Sequence, residues 1–190
     1  MTTTTHPRHR DVVVLRDGST VHVRPARPSD APAMRQLLDG LSDRSRWRRF
    51  FSGCPNLAAS VRWATEVDND RRYGLVATTG GDGRIIGHAG WEREPDRPER
   101  AEVGMEIADA MQGKGLGTIL LCQLAVAANE VGIHVLDAEV LAENHQMIQV
   151  LRDCGFPTKA HTIPGALLVE LQTLRAAKAL QQLERRQQAA

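Results

Sequence analysis

Gln112-Gly113-Lys114-Gly115-Leu116-Gly117 is the stretch whose reading decides the fold. Before it, Ala101 to Ala108 reads as a strand. After it, Leu120, Leu124, Ala127 or Ala128 and Val131 repeat at helical spacing, and Gly132 ends the helix. Glycines in a strand-to-helix turn remove Cβ atoms, so a ligand can come close to the backbone. The helix that follows aims free N–H groups and the positive end of its dipole at the same place. Such a turn is an anion site suited to a pyrophosphate. It is not a Walker A loop, because GxxxxGK[ST] is absent. A Rossmann fingerprint would need a third glycine where Thr118 or Leu120 stands. The spacing fits Q/R-x-x-G-x-G/A.

Working outward, Val12 to Leu15 and Thr20 to Arg24 flank an Asp17-Gly18 turn and predict a hairpin. Met34, Leu37, Leu38 and Leu41 predict a helix, with Asp30 as its cap and Pro32 in the first turn. An Arg-dense stretch from Ser42 to Phe51 follows, then a second helix over Asn56 to Glu66. Two strands, Tyr73 to Thr79 and Arg84 to Trp91, flank a Gly80-Gly81-Asp82-Gly83 turn. A charged, Pro-bearing loop, Glu92 to Arg100, leads to the strand at Ala101. Beyond the central helix, Ile133 to Leu141 reads as a strand covered on both faces. Asn144 opens a helix that Gly155 stops, and Ala166 to Leu171 reads as the last strand. From Thr173 the chain turns helical. The order is that of a mixed α/β domain with a central sheet of about seven strands flanked by helices and a C-terminal helical extension. The expected organisation is a disordered N-terminus over 1–10, one domain over 11–171 and a helical tail over 172–190.

Composition narrows the function. The chain has 190 residues and a formal net charge of +1, with 24 basic and 23 acidic residues, which argues against a nucleic-acid binder working by bulk electrostatics. The longest uncharged run, Gly115 to Asn129, is shorter than the ~18 residues a membrane span needs. Residues 1–10 have no apolar segment of the kind a secretory signal carries. Cys54, Cys122 and Cys154 are odd in number and far apart, so neither a disulfide framework nor a zinc site is indicated. The expectation is a cytoplasmic protein with no metal, no nucleic-acid partner and no membrane partner. Only three of the basic residues are lysine (Lys114, Lys159 and Lys178), and Tyr73 is the sole tyrosine.

With the glycine motif, the element order and Asn144 eleven residues before Gly155 in hand, the chain resembles the GCN5-related N-acetyltransferases, the GNAT superfamily, over about residues 20 to 171. Arg24-Pro25, Pro28 and Asp30, Leu41-Ser42 and Arg49-Phe50-Phe51 are similar to the acetyltransferase domain of bacterial Pat-type protein lysine acetyltransferases. Those are usually fused to a cyclic-nucleotide-binding or acyl-CoA-synthetase-like domain, and within these 190 residues neither is expected. The resemblance implies the GNAT fold and acetyl-CoA as donor. By matched position it implies that backbone groups of Met105, Glu106 and Ile107 pair with the pantetheine arm. Amides of Gly113, Lys114, Gly115, Leu116, Gly117 and Thr118 would hold the pyrophosphate, and Asn144 would contact the cofactor arm. Asn144 also suits a helix N-cap. Lys114 and Arg152 can reach a phosphate or stand as solvated helix positions.

The chemistry requires a base, because an acceptor amine with a pKa near ~10.4 arrives protonated. A hydrogen-bond donor must also meet the thioester oxygen, a role open to a backbone N–H at Met105 to Ile107. On a regular strand Glu102, Gly104 and Glu106 share a face; a bulge at Gly104 would break that parity. The Ala-Glu-hydrophobic start resembles the position of the catalytic Glu, which makes Glu102 the candidate base and Glu106 the reserve. Pairing of either with an arginine such as Arg100 is the competing structural role, and His88 on the neighbouring strand is a further titratable group. Many members carry a Tyr four residues before the Gly-Phe; here that position is Leu151. A thiolate with a pKa near ~8.5 can leave without an acid. The expected function is acetyl transfer from acetyl-CoA to a primary amine, foremost a protein lysine. A small-molecule amine or a protein N-terminus is the alternative acceptor, and a non-catalytic acyl-CoA-sensing module the alternative class. The arginines from Arg44 to Arg49 border the expected acceptor cleft, either attracting an acidic partner or standing as a solvated face with Trp47 packed inward. The C-terminal helix can cover the sheet edge or make a homodimer contact.

Overall fold

The computed structural model describes residues 12–80, 83–156 and 158–188; the segment 1–10 expected to be disordered lies outside them. Strands β1 (Val12–Val14) and β2 (Thr20–Pro25) form the expected hairpin. Its turn is set by Gly18 at φ +80° and by the Asp17 carboxylate, which accepts from the Ser19 N–H at 3.1 Å. Three helices follow: α1 (Ala31–Asp39), α2 (Asp43–Phe50) and α3 (Leu57–Thr65). Then come β3 (Arg72–Thr78), β4 (Ile85–Glu94), β5 (Arg97–Ile107), α4 (Leu116–Glu130), β6 (Val135–Leu141), α5 (His145–Asp153), β7 (Thr158–Ile163), β8 (Ala166–Gln172) and α6 (Ala176–Gln188).

The eight strands form one sheet in the order β1-β2-β3-β4-β5-β6-β8-β7. Neighbours are antiparallel except β5 and β6, which run parallel and pair only through Arg100–Glu102 against Val135–Asp137. Past that short ladder the two strands have no paired partner in each other, and the sheet opens into a V.

Apolar side chains bury on both faces. On one face Met34, Leu37, Leu38 and Leu41 join Val61, Ala64, Val76 and Ile85. On the other, α4 lies over the sheet and is itself covered by α6, through Ala176 and Ala179. This explains why α4 is apolar nearly all round: both sides of it are buried. Thr173 anchors the start of the C-terminal helical segment by donating its hydroxyl to the Ile133 carbonyl at 2.7 Å.

Four local expectations change. Asp30 does not cap α1 with its side chain; it takes a bidentate pair from Arg24 at 2.7 and 2.8 Å and accepts from the Arg27 N–H at 2.8 Å. The charged segment Glu92 to Arg100 is mostly strand, because β4 runs on to Glu94 and β5 starts at Arg97. The Arg-dense stretch is a helix, α2, capped by Ser42, whose hydroxyl accepts from the Ser45 N–H. An eighth strand, β7, pairs with β8 at the outer edge. It carries no apolar alternation because residues Thr158 to Thr162 are all exposed, and an edge strand held by backbone bonds needs none.

Candidate active site

The V between β5 and β6 is a cleft of about 270 Å³. Its walls are Val103 to Ile107 of β5, Ala138 to Val140 of β6 and the first turn of α4, with α2 and α5 flanking the opening. From Val103 onward β5 has no ladder to β6, while its other edge pairs continuously with β4.

The glycine turn closes one end. Gly113 (φ +77°) and Gly115 (φ +90°) occupy the left-handed region, which glycine enters without strain. Gly117 is different: a Cβ there would meet the Met105 sulfur at 3.4 Å and Val150 at 3.5 Å, ordinary contact distances, so packing does not require a glycine at that position. Gly115 caps α4 with no side-chain acceptor, so the N–H groups of Leu116, Gly117 and Thr118 have no partner inside the helix. Gln112 braces the turn, donating to the Ile107 carbonyl and the Ser45 hydroxyl, both at 3.1 Å. Asp109 ties α2 to the same place, accepting from Ser42 N–H (2.9 Å) and from the hydroxyls of Ser42 (2.9 Å) and Ser45 (2.6 Å). Burial pushes its carboxyl up, and the donors of Ser45 and Ser42 more than reverse this, leaving it below the usual carboxylate range.

Lys114 is turned out of the cleft, its ammonium 3.0 Å from Asp17 on the hairpin turn. The cation over the turn is instead Arg16, which sequence reasoning missed. Its side chain lies 3.3 Å from where a Gly115 Cβ would be, pairs with Asp153 at 2.8 Å and lines the cleft. A residue 99 positions before Gly115 leaves no local signal of that contact. Its backbone N–H donates to the Lys114 carbonyl at 3.0 Å, so the hairpin clasps the turn. Arg152 is exposed and lies outside the cleft lining. Asn144 lines the cleft and also caps α5, accepting from the Met147 N–H at 3.2 Å.

The two carboxylates of β5 differ sharply. The β4–β5 register is continuous from Ile107 to Ala101, so there is no bulge at Gly104, and Glu102, Gly104 and Glu106 share one face. Glu106 is buried with both oxygens engaged, one by Arg49 Nε at 2.8 Å and one by His88 Nδ1 at 2.8 Å. Burial works to raise its pKa; His88 and Arg49 overcome that and bring it down to about 2. A carboxylate so stabilised is a poor proton acceptor, which argues against Glu106 as a base. Glu102 is exposed and has no ion-pair or hydrogen-bond partner among the described residues. Arg100 pairs instead with Asp137 (2.5 Å) and Glu170 (2.9 Å). Glu102 stands one residue beyond the cleft wall at Val103, on the face that carries Gly104. Glu139 of β6, exposed and missed by sequence reasoning, does line the cleft.

Gly104 is needed for a neighbour. A Cβ there would come within 2.8 Å of the Arg49 Cζ and 3.1 Å of the Trp63 ring. Arg49 therefore lies directly on the strand, over the Trp63 face at 5.3 Å and near Phe50 at 5.2 Å. Arg48 reaches from α2 to Gln146 of α5 at 2.7 Å. Trp47 is 45% exposed and does not pack inward. No tyrosine lines the cleft: Leu151 is buried in the core, and so is Tyr73, packed against Trp91. Among the described residues there is no cluster of three or more metal-ligating side chains, and no helix is long and apolar enough to cross a membrane.

The residues present fit an acyl-CoA: a helix N-terminus without a side-chain cap, preceded by left-handed glycines, for a pyrophosphate, and a strand edge unpaired with β6 leading away from it for an amide-bearing arm. Known proteins agree. Residues 20–157 match the model of the acetyltransferase (GNAT) domain. The chain is 32% identical over 146 residues to the acetyltransferase Pat of Mycolicibacterium smegmatis, an alignment covering 75% of this chain and 43% of that protein, so it spans less than half of that relative. The crystal structure of the GNAT domain of S. lividans PAT superimposes with a TM-score of 0.76 at 35% identity, covering 85% of this chain and 95% of that one. A point mutant of a cAMP-binding acyltransferase from Mycobacterium smegmatis gives a TM-score of 0.63 at 26% identity, over 93% of this chain and 52% of its own. On the family match and the open β5–β6 cleft together, the chain belongs to the GNAT acetyltransferase family.

Proposed function

We propose that this protein transfers an acetyl group from acetyl-CoA to a primary amine, foremost a protein lysine side chain. The observation that carries the reading is the edge of β5 from Val103 to Ile107 that is not paired with β6, leading to an α4 N-terminus that has no side-chain cap. Acetyl-CoA supplies the activated thioester. Amides from Gly113 to Thr118 hold its pyrophosphate, with Arg16 adding charge at the rim. The backbone of Met105, Glu106 and Ile107 pairs with its arm, one N–H there meeting the thioester oxygen, and Asn144 lines the opposite wall.

Glu102 takes the amine proton, directly or through a water. What supports it is the pairing pattern: it is exposed and has no partner among the described residues, whereas Glu106 is occupied. Glu139 is a second candidate, favoured by its place on the cleft wall. Exposed carboxylates at 102 and 139 on one sheet face suit a cationic amine, and the resemblance to Pat-type enzymes favours a lysine as its source.

The test is thiol release from acetyl-CoA with a panel of amines and protein extracts, followed by mass spectrometry of modified sites. Acetylated protein lysines with release above hydrolysis are expected. Release with small amines alone moves the acceptor to that class, and tight CoA binding without any release makes the chain a sensing module.

A further inference from the structure

We propose that Arg49 is the residue that limits the donor's acyl chain, holding the cleft to short acyl groups. The inference rests on the donor site described above. With the pyrophosphate at the glycine turn, the arm runs along β5 from Ile107 toward Val103, which places the acyl end at Gly104. There the strand has no side chain, and the Arg49 guanidinium takes its place.

That guanidinium is not a loose surface group. Its Nε donates to Glu106 at 2.8 Å, its Cζ lies 5.3 Å from the centre of the Trp63 ring and 5.2 Å from that of Phe50, and its side chain is only 23% exposed. Glu106 is itself fixed by His88, which is fully buried. A methyl group needs little room beside this end wall. A propyl chain needs more: it must either push the guanidinium off a buried carboxylate or lay methylenes against a charge and take away the water it still has. In an apolar pocket each added methylene strengthens binding about fourfold; against Arg49 the sign reverses. Specificity then comes from an element that repels the longer donor rather than one that attracts the shorter.

The experiment is calorimetric binding of CoA, acetyl-CoA and butyryl-CoA to the wild-type protein, Arg49→Met and Arg49→Lys, with a thermal melt of each. Wild type is expected to bind butyryl-CoA about tenfold or more weakly than acetyl-CoA. In Arg49→Met the ratio should close to within about threefold or invert, the CoA constant correcting for any general change in the cleft. Arg49→Lys keeps the charge but loses the fork and the ring contact, and should give an intermediate ratio. If Arg49→Met does not fold, Arg49→Lys decides alone: a narrowed ratio supports the proposal and an unchanged one overturns it. Equal wild-type affinity for the two donors, or an unchanged ratio in Arg49→Met, also overturns it. Failure of the wild type to bind CoA at all would instead remove the donor-site reading beneath it.

Discussion

Gly104→Ala tests the packing of Arg49 on β5 most directly. The residue is not in the left-handed region, so alanine is compatible with its backbone and a strand position should gain about 0.5–1 kcal/mol from the replacement. The side chain is the obstacle. The new Cβ would stand 2.8 Å from Arg49 Cζ and closer still to Nη2, against an ordinary contact of 3.4 Å or more. The guanidinium must retreat by more than half an ångström, and Trp63, 3.1 Å from the same Cβ, blocks one way out. Such a shift pulls Nε off Glu106, where a charge-assisted bond is worth about 1.5–3 kcal/mol. The net expectation is a destabilisation of about 1–2 kcal/mol, or about 2–8 °C in Tm for a chain of this size. Chemical denaturation of wild type, Gly104→Ala, Arg49→Met and the double variant measures it as a cycle. In the Arg49→Met background the alanine should cost less, what remains being the 3.1 Å contact with Trp63. The reasoning is refuted if Gly104→Ala alone is as stable as wild type, or if its cost is the same with and without Arg49.

Three further outcomes follow from the site. Glu102→Gln should lower kcat/KM by about 10²-fold or more while leaving CoA affinity unchanged, as loss of a general base does; if instead Glu139→Gln shows that loss and Glu102→Gln stays within about threefold, the base is Glu139. Glu106 has its pKa depressed to about 2, so its contribution is fully present above the ordinary carboxylate value near ~4.5 and is lost as pH falls toward 2. The shift corresponds to about 3 kcal/mol, so melting of Glu106→Gln should lie well below wild type at pH 7 and the two curves should converge between pH ~4.5 and ~2; parallel curves would sink this. Arg16→Ala removes an exposed pair with Asp153, so stability should change by less than about 0.5 kcal/mol, while CoA affinity falls about threefold or more and becomes less sensitive to salt; an unchanged Kd would take Arg16 out of the site.

The fold was legible where local chemistry and tertiary structure say the same thing. Glycine punctuation, the Asp17-Gly18 turn and the apolar period of α1 place their elements without any long-range information. The strand β7 escaped because its register is fixed by backbone pairing to β8 and its exposed side chains carry no period. The segment Glu92 to Arg100 escaped for the opposite reason. Its charge and proline read as loop, but cross-strand pairs such as Arg72 with Glu92 at 2.8 Å make charged residues good strand residues on a solvated face. Asp30 shows the same limit at a cap: its identity suits an N-cap, and a guanidinium from β2 claims it first.

The site divides along the same line. The glycine turn was legible because its function is backbone geometry, and backbone geometry leaves a mark on the local sequence. The charges around it were not, because which carboxylate meets which cation depends on strands and helices far apart in the chain. Lys114 sits inside the motif and serves the hairpin; Arg16 sits in the hairpin and serves the motif. Glu102 and Glu106 stand four residues apart on one face, indistinguishable by type and parity. A helix 57 residues upstream of Glu106 separates them, by sending Arg49 across Gly104 to one and leaving the other open to solvent. Which of the two carboxylates is occupied is therefore a property of α2 docking, held in turn by Asp109 and the two serines it binds. A change at Ser42 or Ser45 that loosened α2 would reach the chemistry through Arg49 without touching any residue of the glycine motif.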